Sequence, residues 1–102
     1  MREYRLTTPA KRDLTGILNY LVREAGGKIA LRAESEFRAV FRAVAANPGL
    51  GHLRQDLTDH NVLFHGVPPY LILYREEAGV VIVHAILHGS RDATLILKRR
   101  RL

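Results

Sequence analysis

The feature that most constrains this chain is an apolar stretch in its second half, from Pro69 to Asp92. The stretch predicts a β-hairpin because it is rich in β-branched, aromatic and leucine side chains. One arm is Tyr70–Tyr74, the turn is Glu76–Gly79 and the other arm is Val80–Leu87. Neither arm alternates cleanly between apolar and polar residues, and such strands usually lie inside a sheet with both faces covered. The hairpin is therefore predicted to form the middle of a sheet.

A period of two residues assigns the apolar side chains of the second arm to two faces. Val80, Ile82 and Ile86 fall on one face, and the opposite face carries Val81, Val83, Ala85 and Leu87. Because both faces are apolar, the rest of the chain has to cover at least one of them.

Two amphipathic helices are predicted before the hairpin. Thr8–Pro9 is typical of a helix start, and apolar residues follow at helical spacing to about Glu24. Gly26–Gly27 separates this helix from a second one, Lys28–Ala46, which an Asn-Pro-Gly sequence ends. So short a break predicts an antiparallel helical hairpin. The side chains expected to pack on the sheet are Leu14, Leu18, Leu21, Phe37, Phe41 and Val44.

Short strands are predicted at Arg2–Leu6 and Asn61–His65, with a loop over residues 50–60. The order β-α-α-β-β-β predicts an α+β domain, with the helical hairpin packed on one face of a mostly antiparallel sheet. The second apolar face needs another cover, either Leu95–Leu97 or a partner chain. We predict a single domain over residues 1–97, followed by a basic tail, residues 98–102, of the kind that is often disordered.

Charge is the unusual feature of the composition. Lys and Arg together number 16 against 10 Asp and Glu, and 13 of the cations are arginine. Arginine suits carboxylate and phosphate partners, so an acidic protein and a nucleic acid are both plausible partners. The chain has no cysteine, no apolar run approaching the ~20 residues that span a bilayer, and no apolar signal-peptide core. We therefore expect a cytoplasmic protein.

The ionisable residues suggest one possible chemistry. The histidines and acids lack the spacing of metal ligands, so no metal site and no cofactor are predicted. A metal-free ribonuclease would need a base, an acid and cations around the phosphate. The residues that could supply these groups, if they converge on the sheet, are Arg54, His65, Arg75, His88 and Arg91. The alternative is that they are solvated arginines and hydrogen-bonded histidines at strand ends.

Several segments, taken in order, carry a resemblance to a known family. They are the opening strand and Pro-started helix YRLTTPAKRDLTGILNYL, the AxNPxLG segment at Ala45–Gly51, Arg54 with Asp56–Leu57, Tyr74–Arg75, and HGSRD at His88–Asp92. With these segments the chain resembles ParE-type toxins of the RelE/ParE superfamily, the toxic half of type II toxin–antitoxin systems. The resemblance spans nearly the whole chain and implies the same β-α-α-β-β-β order.

The resemblance also implies a partner. Similar toxins are neutralised by a cognate antitoxin that is usually acidic where it binds the toxin, and that often binds DNA through a ribbon-helix-helix domain. An acidic partner would account for the excess of arginine. The residues expected to bind the antitoxin are Leu14, Leu18, Arg38, Arg75, Val81 and Val83.

Activities divide within the superfamily. ParE-like members poison DNA gyrase, whereas RelE-like members cut mRNA in the ribosome and typically carry a tyrosine or histidine near the C-terminus. Here the segment after Arg91 is DATLILKRRRL, which has neither residue. The resemblance therefore favours a gyrase inhibitor that acts by binding, with a RelE-like endoribonuclease as the alternative. A plain nucleic-acid-binding module is a third possibility.

Overall fold

In the computed structural model, which describes residues 3–89 and 93–102, a helical hairpin packs on one face of a five-stranded sheet. The strands are β1 (Tyr4–Leu6), β2 (His52–Leu53), β3 (Leu63–Val67), β4 (Tyr70–Glu77) and β5 (Val80–His88). The helices are α1 (Thr8–Ala25), α2 (Gly27–Ala46) and α3 (Ala93–Arg99). The strand order is β1-β5-β4-β3-β2. The predicted α+β class and the central position of the hairpin are confirmed. Within the described residues, no helix is long and apolar enough to cross a membrane.

The sheet is antiparallel except at one edge, where β1 runs parallel to β5. The hairpin turn is shorter than predicted, because β4 continues to Glu77 and the turn consists of Ala78 and Gly79. Both turn residues have positive φ, 52° and 81°, which is the geometry that matches the twist of the flanking strands in a two-residue turn.

Other boundaries also differ from the prediction. β2 lies inside the predicted loop, and β3 begins two residues after the predicted start at Asn61. The N-cap of α1 is Thr7 rather than Thr8, because the Thr7 hydroxyl accepts a hydrogen bond from the Ala10 N–H at 3.2 Å. Arg2, predicted to start the first strand, lies outside the described residues.

A β-bulge at His84 reverses the alternation of β5. Leu73 pairs with Ala85 and Tyr74 pairs with Val83, so His84 has no residue opposite it. Before the bulge, Val83 packs beneath the helical hairpin; after it, Ala85 packs on the other face of the sheet. The prediction that Val81, Val83, Ala85 and Leu87 share one face is therefore wrong, because one extra residue shifts the period by one.

The helical-hairpin face holds the larger core. Phe37, Phe41 and Val44 of α2 are buried there with Tyr70, Ile72, Tyr74, Val81 and Val83. The rings of Phe37 and Phe41 stack with centroids 6.2 Å apart. Of the residues predicted to pack on the sheet, Leu14 is half-buried against this core, and Leu18 and Leu21 are half-buried outside it.

The second face is covered by the C-terminal segment. Ala93 and Leu97 of α3, together with Leu102, are buried against side chains of the sheet, namely Phe64, Leu73, Ala85 and Leu87. Leu95–Leu97 was one of the two predicted covers; Leu97 fills this role with part of Ile96, while Leu95 is 51% exposed.

The prediction of a separate basic tail after residue 97 is wrong. Lys98 and Arg99 belong to α3, and Leu102 is only 6% exposed. The Leu102 N–H donates to the Leu97 carbonyl at 2.8 Å, and the Thr58 hydroxyl donates to the Leu102 carbonyl at 3.1 Å. Lys98, Arg99 and Arg101 are exposed while Leu97 and Leu102 complete the second core, so a run of cations at a chain end does not by itself make a disordered tail.

One ion pair joins the two covers of the sheet. Arg100, just after α3, donates through Nη1 and Nη2 to the two carboxylate oxygens of Asp13 on α1, at 2.6 and 2.7 Å. Within the described residues β1 pairs with Val81–Val83, so on this side of β5 the residues that follow have no strand beside them. There the Ile86 N–H donates to Asp13 at 3.0 Å, and the His84 carbonyl accepts from Arg100 at 3.1 Å. The pair thus occupies hydrogen-bonding positions that a further strand would use.

Candidate functional site

The two predicted nuclease histidines lie on the helical-hairpin face of the sheet. His65 is opposite Ile72 in β3, between Leu63 and Val67 of the same face, and its Nδ1 lies 2.9 Å from the Gly66 carbonyl oxygen. His88 ends β5 opposite Tyr70, and the two rings meet edge to face with centroids 5.4 Å apart. β4 separates the two histidines.

The predicted nuclease arginines lie elsewhere. Arg75 alternates with Tyr74 along β4, so it points to the opposite face, where its Nε donates to the Asn61 carbonyl at 3.3 Å. Arg54 donates to both carboxylate oxygens of Asp56, at 3.0 and 2.9 Å. These hydrogen bonds raise the pKa of Arg54 and lower the pKa of Asp56. Arg91 lies outside the described residues.

The described members of the nuclease set therefore do not form one catalytic cluster. His65 and His88 share a face with a strand between them, Arg75 is on the other face, and Arg54 is occupied by a carboxylate. The part of the chain that the structure describes also holds no group of three His, Asp or Glu residues placed to bind a metal ion.

Two of the segments that carry the family resemblance meet in a structural contact. Tyr74 is fully buried, and its hydroxyl donates to the Pro48 carbonyl and accepts from the Gly51 N–H, both at 2.7 Å. A Cβ on Gly51 would collide with that hydroxyl. Burial raises the pKa of Tyr74. The AxNPxLG segment and Tyr74 therefore fix the chain after α2 onto the sheet, a pairing that their sequence positions did not reveal.

Most of the residues expected to bind an antitoxin are not available as one surface. Val81 and Val83 are 1% and 0% exposed under the helical hairpin, so the prediction that they contact a partner is wrong for this structure. Their place in β5 next to β1 and beneath α1 buries them. Leu14 is half-buried against the same core, and Arg75 lies on the opposite face.

The remaining two predicted residues lie on the helices. Leu18 lines a groove of about 280 Å³ between α1 and α2, together with Val22 and Leu31. Arg38 is exposed on α2, with its Nη2 3.7 Å from a carboxylate oxygen of Glu34. Of the six predicted residues, two therefore remain accessible on the helical hairpin: Leu18, which lines the groove, and Arg38, which is paired with Glu34.

A larger concave surface, which the sequence did not predict, lies where the helical hairpin meets the sheet. Tyr20 of α1, Tyr70 of β4 and His88 of β5 line both halves of a cleft. One half, of about 390 Å³, extends towards α2 and Pro68–Pro69, which precede β4. The other half, of about 540 Å³, extends along α1. Hereafter "the tyrosine cleft" means these two halves.

The tyrosine cleft combines aromatic rings with cations. Tyr70 is 8% exposed, and burial, with a smaller contribution from the nearby Tyr20, raises its pKa. Arg12 borders the half along α1, and Arg32 borders the half beside α2. Unlike the arginines paired with carboxylates, these two make no ion pair with other described residues. The cleft could have been suspected only from Tyr20, an aromatic residue on the polar side of α1.

Comparisons with known proteins identify first the fold of this chain and then its family. The fold matches a solved structure described as "Chromosomal ParDE TA system from P. aeruginosa", with a TM-score of 0.72 and 18% sequence identity over 87% of this chain and 97% of that chain. A comparison with curated proteins finds no significant match. The family model for the ParE toxin of type II toxin-antitoxin system, parDE, matches residues 4–93. The chain belongs to this ParE toxin family.

Proposed function

We propose that this ParE-family toxin inhibits DNA gyrase by binding to it, without chemistry of its own. Membership of the family supports a toxin. The separation of the candidate acid–base residues supports gyrase inhibition by binding over cleavage of RNA. Cleavage of RNA requires a titratable group and cations held together against one phosphate. The placement of Arg75 on the face opposite His65 and His88 is the observation that carries this proposal.

We also propose that a cognate antitoxin neutralises the toxin in the cytoplasm. The formal net charge of +6 favours an acidic partner, and opposite charges speed association at low salt. A ribbon-helix-helix domain in the antitoxin would bring the toxin to DNA as a hetero-oligomer. We expect neither association to need a cofactor.

Induction of the chain in bacteria tests the target. Chromosome breakage and mRNA cleavage are scored in parallel, and the purified chain is added to a gyrase supercoiling assay. We expect broken chromosomes, loss of supercoiling and intact message. Codon-biased message cuts that disappear in His88→Ala, but persist in the exposed-loop control His60→Ala, would instead establish the RelE-like endoribonuclease.

Co-expression tests the antitoxin. The product of the adjacent small open reading frame should bind the toxin and restore growth. Its association rate should fall as salt rises, because the attraction between exposed charges is screened. An adjacent product that neither binds nor neutralises the chain would refute the toxin–antitoxin pairing. Salt-sensitive binding of RNA or DNA by the purified chain alone would favour the simple nucleic-acid-binding module.

A further inference from the structure

We propose that the tyrosine cleft is the docking site for an acidic segment of the antitoxin, which places one large apolar side chain beside Tyr20 and its carboxylates near Arg12 and Arg32. This inference rests on the proposed toxin–antitoxin function. It moves the expected contact away from the predicted residues Val81 and Val83, which lie inside the core.

The half of the cleft next to α2 fits an apolar side chain. Its walls include Leu21, Ile29 and Val67, and its volume is about 390 Å³. Two of its residues remain in contact with water, since Tyr20 is 52% and Ile29 is 41% exposed. An apolar side chain that enters here removes its own surface and these two side chains from water. Exposed aromatic residues next to a pocket are the usual anchors of a protein interface.

The floor of the cleft is held rigidly. Tyr70 contacts Phe37 of the core with ring centroids 5.5 Å apart and meets His88 edge to face. Its phenol is protonated at neutral pH, as that of any tyrosine is, and burial raises its pKa further, so a partner group that reaches the hydroxyl meets a group that can donate or accept a hydrogen bond. A site that is already formed loses little conformational freedom when a partner binds.

The charges at the cleft favour carboxylates. Arg12 and Arg32 border its two halves and make no ion pair with other described residues, whereas Arg38, Arg54 and Arg100 each pair with a carboxylate of the chain itself. A guanidinium without such a partner can bind an incoming carboxylate with two hydrogen bonds. Two cations at separate ends of one cleft match an extended segment with acidic residues on either side of its apolar anchor.

The same features argue against nucleic acid at this position. The ring of Tyr70 is 8% exposed and offers no open face for a base to stack on. The half next to α2 includes aliphatic and proline side chains, which offer a phosphate no hydrogen-bond donor, whereas Glu36 at its border repels phosphates and carboxylates alike. An acidic peptide with an apolar anchor therefore fits better than an oligonucleotide.

Binding of the purified product of the adjacent open reading frame to the full chain tests the inference. Two cleft variants, Tyr20→Ala and Arg32→Glu, are compared with two controls outside the cleft that make the same kinds of change. Leu95→Ala removes an apolar side chain that is 51% exposed on α3, and Arg99→Glu reverses an exposed charge on the same helix. We expect Kd to rise at least about tenfold for each cleft variant and less than about threefold for each control.

The outcomes separate the inference from the proposed function. Wild-type binding that the cleft variants retain would overturn the docking site and leave the toxin–antitoxin function intact. A wild-type chain that does not bind the product would overturn both. A short single-stranded RNA is titrated in parallel; RNA binding weakened by the cleft variants would replace the peptide with nucleic acid and overturn the inference. Circular dichroism melts of all four variants should match wild type, because the changed side chains are exposed.

Discussion

The two faces of the sheet are covered in very different ways. On one face, α1 and α2 contribute 18 and 20 residues and bury a core rich in aromatic rings. On the other, the seven-residue α3 and the terminal Leu102 cover a smaller core. A helix this short is not stable alone, because helix formation is cooperative and begins with a costly first turn. The second cover therefore depends on its contacts with the rest of the chain.

The Asp13–Arg100 ion pair is one of those contacts, since it ties the end of the small cover to the large one. Its two side chains are 17% and 21% exposed, and the partners are 87 positions apart in the sequence. Hydrogen bonds to Asp13 raise the pKa of the Arg100 guanidinium, although its burial acts in the opposite direction. We therefore expect the two faces, although they differ in size, to unfold together.

The largest expected effect is on the helical-hairpin face. Phe37→Ala or Phe41→Ala should lower the free energy of unfolding by about 3–5 kcal/mol, because each removes a buried ring and leaves a cavity. Denaturant unfolding measures the change. Leu31→Ala is the matched control on the same helix, and we expect a change within about 0.5 kcal/mol because the side chain is exposed. Near-wild-type stability of both phenylalanine variants would refute this core.

A smaller effect is expected on the second face. Leu97 is 2% exposed, and Leu97→Ala should cost about 2–4 kcal/mol. The neighbouring Leu95 is 51% exposed, so Leu95→Ala is the control and should leave the unfolding midpoint nearly unchanged. Equal effects of the two substitutions would mean that α3 does not pack as described.

The link between the faces can be measured by a double-mutant cycle. Asp13→Ala and Arg100→Ala should each cost about 1.5–3 kcal/mol, because each leaves a partly buried charge and backbone groups of β5 without partners. In the double variant the losses should be strongly non-additive, with a coupling above about 1 kcal/mol. Additive losses would show that the two covers are held independently.

The Arg54–Asp56 pair provides the contrast with the smallest effect. It joins residues two apart and is exposed, so its loss should leave stability unchanged within error. Its signature is instead in titration: the pKa of Asp56 should lie below the ordinary value of about 3.9. Because this pKa is lowered, any contribution to stability is present above the unfolded-state pKa and disappears as pH falls through the folded-state pKa.

Carboxyl carbon NMR shifts followed against pH would measure the Asp56 pKa directly. Arg54→Ala should return the midpoint towards the ordinary value, since the guanidinium hydrogen bonds are its main cause. Arg42→Ala, which removes an exposed arginine from α2, is the control and should leave the midpoint unchanged. If the Asp56 midpoint does not respond to Arg54→Ala, the Arg54–Asp56 pair does not form in solution.

Periodicity predicted the large features of the fold because they depend on many residues at once. The helical hairpin and the central β4–β5 hairpin are of this kind. The bulge at His84 was not predicted, because a single inserted residue cannot be recognised in a pattern of apolar side chains. The Asp13–Arg100 pair escaped because nothing in the sequence links two charges 87 positions apart. The run of basic residues before Leu102 predicted a disordered tail, although Leu102 itself is buried against the sheet.

The candidate site was harder to predict than the fold. The nuclease residues are predicted from residue type alone. Type does not determine which face of a strand a side chain occupies, and Arg75 and His88 lie on opposite faces of the sheet. Tyr74 and Gly51 stood out in the family segments, yet their contact is structural. The tyrosine cleft needs three elements brought together, and only the tertiary structure supplies that.

The packing of the C-terminal segment as part of the fold is tested most directly by removing residues 98–102 and measuring urea unfolding. The deletion takes away the Arg100 guanidinium and the buried Leu102 side chain. We predict a loss of at least about 3 kcal/mol in the free energy of unfolding, with increased binding of a hydrophobic dye as the second face is exposed. An unchanged unfolding midpoint and slope would contradict this structure of the chain end and restore the free basic tail.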